Sequence, residues 1–373
     1  MILDIYGKDN QRKGFVNTFD YAFYEDCFCG IGKFEIKVPL TEKSIQYLIK
    51  DNYILLDNGI LGVIKSRQFE QTEEAQNVLS ITGKTINELF LRRCFELTYN
   101  YSGKLSAISR EMVDNLCVNP TNTKRKISLI SLSQDPAYIP DGETFKTQKT
   151  GDYLADALED ILSLENKGYK LFPIFDENNG YELTGLEFRL YSPVDRTIEN
   201  NDNNNPVVFS SDLNNIKNFT YDEDGDEYKN IAYGAGQGRA EERYLVEIGE
   251  TDSTDVDRCE LYVDARDLQQ EEEQSVADYK DVLKNRSIEK LLEHKVFISV
   301  NGSIVEGTTA YRIGTDFNVG DFVSFKLDIL DLIVDVQIKK LTKSYSNNRE
   351  YIDLTFGFEK SSVRKILRKG GLE

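Results

Sequence analysis

Two groups of three apolar segments, one near each end of the chain, share the same alternation of apolar and polar positions. The segments are 51–57, 60–64 and 79–83 in the first group, and 321–327, 330–336 and 352–357 in the second. In each group a short turn joins the first two segments, and a polar stretch, 71–77 or 344–350, joins the second to the third. The pattern therefore predicts two three-stranded meanders.

The likeness of the two meanders indicates an internal repeat. A repeated unit of this size needs a neighbour to bury its apolar face, and here that neighbour is the other copy, in the same subunit or in the next. A second interpretation stays open, because unrelated three-stranded meanders share this pattern. On the first interpretation, residues 1–98 and 296–360 form two similar β-modules. Within the first module, Phe34, Ile36 and Val38 alternate with polar residues as in a half-buried strand.

Residues 99–206 change character and are predicted to form an α/β insert. Apolar residues at three- and four-residue spacing predict two amphipathic helices, the second with Asp152 as its N-cap, and an Asn-Gly turn predicts a hairpin of two strands. The predicted helices and strands span 105–116, 154–162, 169–175 and 181–191. The polar run 199–206 is predicted to be a loop or a boundary.

Three further segments complete the predicted division of the chain. Residues 207–235 are predicted to form a central hairpin that contributes to the second module, and 236–295 a lateral segment of strands and helix. The helix of that segment is predicted at 271–294, with a break near Asn285. The tail 361–373 is basic, and it is predicted to be a solvated end or to dock on an acidic partner.

Composition limits the classes of partner. The chain has 373 residues, a net charge of −19 and a pI of about 4.7. Stable binding to nucleic acid or to an anionic membrane requires clustered Lys and Arg, so we expect protein partners. The sequence has no apolar stretch of membrane length, so we expect no membrane insertion. The five cysteines follow no metal-ligand spacing, and the N-terminal segment lacks the pattern of a signal peptide. We therefore expect reduced thiols and a protein that is made and kept inside a cell, or that leaves it by lysis.

Candidate catalytic residues are few. His294 is the single histidine, at a predicted helix end where a structural or surface role is favoured over catalysis. Cys27 and Cys29 are predicted to point to one face of a strand, as small core residues and not as a redox pair. Paired carboxylates of a glycosidase stay open among 64 acidic residues, although the chain has no tryptophan for a sugar platform.

Two short segments resemble ligand sites only in part. The glycine-rich segment 234–238 lacks the spacing of a phosphate-binding loop and predicts a glycine hinge or a strand corner. The acidic stretch 222–227 departs from a calcium-binding loop, because Glu227 stands where such a loop has glycine and Tyr233 where it has glutamate. It is predicted to be an Asp-Gly turn, with adventitious Ca²⁺ left open. The sequence thus predicts no catalytic residue, no cofactor and no metal site.

Four segments resemble the hub proteins of bacteriophage tail baseplates, as found in siphophages and prophages. The most specific is 79–93, a strand followed by glycine, a short helix and an arginine pair. The other segments are the glycine, strand and proline of 32–40, the hairpin 218–222 with 229–236, and the entry of the closing module at 317–323.

The resemblance implies a mostly β, α+β fold with two similar tube-type β-barrel modules and an α/β insert. It implies a structural protein of the virion tail, a homotrimeric ring that adapts a six-fold tail tube to a three-fold spike or fibre. Its partners would be a distal tail protein, the tail tube or tape measure, and spike or fibre proteins, and DNA would pass through the ring without stable binding. The alternatives are a cell-wall-degrading tail hydrolase and a carbohydrate-binding tail module.

Overall fold

The computed structural model describes residues 2–57, 59–71, 77–239, 242–295, 297–304, 311–327, 332–346 and 349–357. Several predicted features lie wholly or partly outside them. These are the basic tail 361–373, residues 72–76 and 347–348 of the two polar stretches, and the first residues of the segments that begin at 296 and 330.

Strands form most of the described part of the chain. Their bounds are β1 Leu3–Tyr6, β2 Arg12–Val16, β3 Tyr21–Cys27, β4 Lys33–Pro39, β5 Tyr53–Asp57, β6 Ile60–Gln71, β7 Asn77–Thr85, β8 Tyr99–Lys104, β9 Ile130–Leu132, β10 Thr144–Lys149, β11 Gly168–Asp176, β12 Glu182–Tyr191, β13 Asp195–Arg196, β14 Val208–Ser210, β15 Ile216–Asp224, β16 Ile231–Ala235, β17 Leu245–Gly249, β18 Glu260–Asp264, β19 Phe297–Ile304, β20 Phe322–Leu327, β21 Leu332–Ser346 and β22 Arg349–Gly357.

Helices are fewer and concentrate in the middle of the chain. The α-helices are α1 Glu42–Tyr47, α2 Leu105–Val113, α3 Leu154–Ser163 and α4 Val276–Leu292. A π-helical turn, Asp114–Val118, continues α2, and short 3-10 helices span Ile86–Arg92, Thr123–Arg125, Pro136–Tyr138 and Asp255–Asp257. The predicted mostly β, α+β fold is confirmed.

Fourteen strands form one large sheet that contains both ends of the described chain. Its order is β15-β19-β22-β21-β3-β4-β7-β6-β5-β1-β2, and β13 and β14 pair with β20, which itself pairs with β21. Both predicted meanders are present, as β5-β6-β7 and β20-β21-β22, and all their pairings are antiparallel.

The internal repeat extends beyond the meanders to units of five strands. Unit 1 has the order β3-β4-β7-β6-β5 and unit 2 has the order β15-β19-β22-β21-β20, with antiparallel pairing throughout. The strands follow the same chain order in both units. The predicted similarity of the two ends is therefore present in the topology. Strand pairing among the described residues closes neither unit into a barrel, so the number of barrels stays a prediction.

A β-bulge at matching positions gives the residue-level alignment of the two units. The register of β6 against β7 shifts at Lys65, and that of β21 against β22 shifts at Lys339. Beyond the bulge in unit 1, Thr82 of β7 lies opposite Ser66 of β6. Beyond the bulge in unit 2, Thr355 of β22 lies opposite Lys340 of β21. A bulge of this kind increases the local twist and bends the strand. Strands β6 and β21 therefore change direction at equivalent points.

The α/β insert packs on unit 1. Sheets β8-β10 and β9-β12-β11 accompany α2 and α3, and their buried side chains share one apolar core with Leu61 and Val63 of β6. The predicted hairpin is β11-β12, and Gly180 in its turn has a φ of 66°. Helix α3 begins after Tyr153, which occupies the N-cap position that the sequence assigned to Asp152.

The segment predicted as 207–235 is divided between two sheets. Strands β14 and β15 lie in the large sheet, whereas β16 pairs with β17 and β18 in a separate sheet covered by α4. That small unit is inserted between β15 and β19. The second module also begins before residue 206, since β13 already pairs with β20.

Helix α4 runs without the break predicted near Asn285. Ser275 caps its N-terminus by accepting a hydrogen bond from the Asp278 backbone N–H at 3.0 Å. Asn285 donates a hydrogen bond from Nδ2 to the Lys146 carbonyl at 2.8 Å, so the residue serves as a tertiary contact on an intact helix. The prediction of a break was wrong. Asn disfavours a helix interior only weakly, and here the hydrogen bond to Lys146 favours keeping Asn285 in the helix.

Candidate interaction surface

His294 lies just after α4, where its Nδ1 atom is 3.1 Å from the Glu227 carbonyl oxygen. This contact ties the end of the helix to the turn after β15. This contact accounts for the histidine as a structural residue, without a catalytic role.

Cys27 is the last residue of β3, and Cys29 lies in the bend that follows, so the two thiols do not share a strand face as predicted. Both are half-buried, as are Cys94 and Cys259. Cys117 is buried in the core of the insert, and this burial raises the pKa of its thiol to about 12. A buried thiol with a raised pKa is a poor nucleophile.

The glycine-rich segment forms the end of β16 and a turn. A Cβ atom on Gly234 would lie 2.0 Å from the Ser287 hydroxyl of α4, so glycine here permits close packing of helix on strand. Gly238 has a φ of 110°, which fits the predicted corner.

The acidic stretch ends β15 and enters a turn, where the Asp224 carboxylate accepts a hydrogen bond from the Asp226 backbone N–H at 3.0 Å. This is the predicted Asp-Gly turn. Across the described part of the chain, no group of three or more His, Cys, Asp or Glu side chains is arranged to hold a metal ion.

A buried charge network joins the insert to α4. Lys149 of β10 lies 3.2 Å from the Glu289 carboxylate and 3.6 Å from that of Asp160, and the side chains of Lys149 and Glu289 are 1% and 3% exposed. Arg286 completes the network, 3.7 Å from the Glu289 carboxylate and 3.1 Å from that of Asp267. These side chains hold the insert and the α4 segment together.

The most distinctive surface feature is the joint between the two five-strand units. The second half of β21, after its bulge, pairs antiparallel with β3, from Lys340 opposite Cys27 to Ser346 opposite Tyr21. One continuous sheet therefore passes from unit 2 into unit 1 within a single chain.

The joint combines a basic strand with an acidic one. Lys340 lies 3.0 Å from Glu25, and Lys343 lies 3.0 Å from Glu350 and 3.3 Å from Asp57. Burial opposes the charge of Lys343, but the hydrogen bond to Glu350 and the Asp57 charge together raise its pKa. Across the joint, burial and a hydrogen bond to Asp57 raise the pKa of Tyr24, which is 1% exposed.

The strands equivalent to the two that meet in this joint each have one side without strand pairing among the described residues. One is the second half of β6, residues 66–71, which extends past the end of β5 and is exposed at every position. The other is the outer edge of β15, the terminal strand of the large sheet.

Sequence reasoning missed both edges. The apolar segment 60–64 predicted a strand, but β6 continues to Gln71 through polar residues. The alternation of Arg67 and Phe69 with smaller polar residues could have indicated that the strand continues, because a strand places alternate side chains on opposite faces.

Comparisons with known proteins agree with this architecture. A family model described as Siphovirus ReqiPepy6 Gp37-like protein matches residues 2–358. A search among curated proteins found no match. Among the described residues, no helix is long and apolar enough to span a membrane.

Three solved structures share the fold. Prophage tail protein gp18 from Listeria monocytogenes EGD-e has a TM-score of 0.55 at 15% identity, over 97% of this chain and 95% of that chain. The tail protein from Neisseria meningitidis MC58 has a TM-score of 0.54 at 13% identity, over 95% of each chain. The 43 kDa tail protein of prophage MuSo2 from Shewanella oneidensis has a TM-score of 0.54 at 10% identity, over 98% of this chain and 99% of that chain. The resemblance to phage tail proteins is confirmed.

Proposed function

The chain belongs to the Siphovirus ReqiPepy6 Gp37-like protein family, and from this premise we propose that it is a structural protein of a siphovirus or prophage tail. More specifically, we propose the hub of the baseplate, a homotrimeric ring between a six-fold tail tube and a three-fold spike or fibre. It acts in the virion after synthesis in the host cytoplasm.

The observation that carries this proposal is the duplicated five-strand unit. Three copies of a chain with two equivalent units present six similar sheets around one axis, while the insert and the α4 unit occur only three times. The same ring can therefore contact a six-fold partner through the repeated units and a three-fold partner through the unrepeated ones.

The partners that fit this geometry are other tail proteins. The tail tube or a distal tail protein would contact the six-fold side, the spike or fibre the three-fold side, and the tape measure the lumen. The net charge of −19 suits a ring that DNA crosses without being retained, because negative walls repel phosphates.

The proposed role is structural and not enzymatic. Gp18 and the MuSo2 43 kDa protein, which share this fold, are described as tail proteins. Nothing in the described part of the chain favours the cell-wall hydrolase or the carbohydrate-binding module over a hub.

The test is the location of the protein in assembled particles. Particles purified from the phage or lysogen that encodes the chain are labelled with a gold-conjugated antibody against it and imaged by electron microscopy. We expect label at the tip of the tail, distal to the head. Label on the head, or particles that lack the protein altogether, would overturn the proposal.

A further inference from the structure

The joint between the two units contains one edge from each. Unit 2 contributes residues 340–346, the half of β21 that follows the bulge. Unit 1 contributes its outer strand, β3. Because the units share one topology, unit 1 has an equivalent half-strand, 66–71, and unit 2 has an equivalent outer strand, β15. In the described part of the chain, these are the two edges without a strand partner noted above.

The bulges and registers fix which residues correspond. The bulges align Lys340 with Ser66, so Thr342 and Lys343 of β21 align with Gln68 and Phe69 of β6.

The outer strands align through their inner neighbours. Glu35 of β4 and Asn301 of β19 face the equivalent threonines Thr82 and Thr355. Their partners on the outer strands are Phe23 and Thr220. Phe23-Tyr-Glu-Asp26 thus aligns with Thr220-Tyr-Asp-Glu223, an aromatic and acidic pattern shared by both strands.

We propose that β6 of one copy pairs antiparallel with β15 of the next copy, repeating between chains the joint that β21 and β3 make within one chain. The partner is a second copy of this chain, and the inference deepens the ring assembly proposed above, on which it rests. Transfer of the intramolecular register places Ser66 opposite Asp224, Gln68 opposite Asp222 and Phe69 opposite Tyr221.

The side chains at these positions are complementary. Phe69 is 51% exposed in the single chain, and Tyr221 is half-buried, whereas the equivalent Tyr24 is 1% exposed inside the completed joint. Aromatic pairs facing each other across antiparallel strands stabilise a sheet. The same register sets Arg67 opposite Glu223, which adds one pair of opposite charges across the two strands.

A general property of strand edges also favours a contact between chains. A long exposed strand edge presents unpaired backbone N–H and C=O groups and tends to pair with other chains. Each copy offers one edge of each kind, so the contact is head-to-tail. A head-to-tail contact equal to the internal joint makes all six joints of a trimer alike, and the ring closes when the rotation at each joint is one sixth of a full turn.

Paired cysteines test the register directly. Gln68→Cys and Asp222→Cys are made singly and in one chain, both at exposed strand positions. Facing Cα atoms of antiparallel strands lie about 5 Å apart, within the reach of a disulfide. Oxidation of the purified double variant should convert most of the protein to covalent trimers on a non-reducing gel. The unmodified chain, with its five native cysteines, is the background control.

Two further experiments test which residues make the contact. A mixture of the two single variants should give covalent dimers only, and neither variant should give them alone. The matched control is Gln68→Cys with Lys217→Cys, which places the second thiol on the same strand about 15 Å from the proposed partner, and it should give no covalent product.

The results separate the edge assignment from the hub. Absence of covalent multimers in the double variant, dimers from Gln68→Cys alone, or equal cross-linking through Lys217→Cys would each overturn the proposed strand contact. If particles then still carry gold label at the tail tip, the hub stands and only this contact fails. Covalent trimers from a protein that is absent from the tail would preserve the contact and reject the hub.

Discussion

At the scale of single residues, the side chains that stand out hold units together. Lys149 and Glu289 are more than nine-tenths buried, and they connect β10 to α4. His294 and Asn285 each contact a backbone carbonyl of another segment, that of Glu227 or Lys146. The sequence favoured a structural or surface role for His294, but it could predict none of these contacts, because each partner lies more than 60 residues away.

The Lys149 network leads to a prediction about stability. Lys149→Met would remove the ammonium partner of the buried Glu289 carboxylate, but the Arg286 guanidinium would still lie 3.7 Å from it. The cost should therefore lie at the lower end of the about 3–5 kcal/mol that is typical for removing one member of a buried ion pair. We expect a loss of that size in the free energy of unfolding, measured by urea denaturation.

The matched control is Lys104→Met, which removes an ammonium group whose partner, Asp141, is 91% exposed in its side chain. Because water solvates both charges there, the change should be much smaller. Equal losses for Lys104→Met and Lys149→Met would contradict the structural role assigned to the buried network.

At the scale of elements, the sequence predicted what local periodicity determines. The alternation in β4, the helix positions in the insert and both meanders agree with the structure, because each follows from one apolar face. The pairing of β21 with β3 could not be predicted, since its strands lie more than 300 residues apart and their register depends on tertiary packing. The polar ends of β6 and β21 were missed because the predicted strands followed the apolar residues only.

Gly83 shows how an element depends on a single residue. The sequence placed this glycine between a strand and a helix, but it lies inside β7, where a Cβ atom would be 2.1 Å from the Val63 carbonyl oxygen and 2.4 Å from the Phe34 ring. Gly83→Ala should therefore destabilise the protein by about 1–3 kcal/mol, the usual range for overpacking. Thermal unfolding followed by circular dichroism measures this change.

The control for Gly83 is another glycine inside a strand. Gly185 lies in β12, and a Cβ atom there would come no closer than 3.8 Å to its neighbours. Gly185→Ala should leave the melting temperature nearly unchanged. A similar fall in both variants would mean that loss of glycine itself, and not the contact with Val63 and Phe34, sets the cost.

At the scale of the whole molecule, the central feature is a sheet that runs through both five-strand units. Among the described residues, it leaves the outer edge of β15 and one side of residues 66–71 of β6 without strand pairing. The duplication was visible in the sequence as two similar meanders, but their extension to five strands and the shared bulges were not, because they involve strands brought together only by folding. A chain with two equivalent units and complementary ends is suited to closing into a ring.

The most direct test of this account is the mass and symmetry of the protein in solution. Light scattering across a range of concentrations, combined with negative-stain class averages, reports both. The account predicts particles of three times the 42.7 kDa chain mass, seen as three-fold rings with a central hole and six similar units around it. Monomers at every concentration, or two-fold dimers, would contradict it.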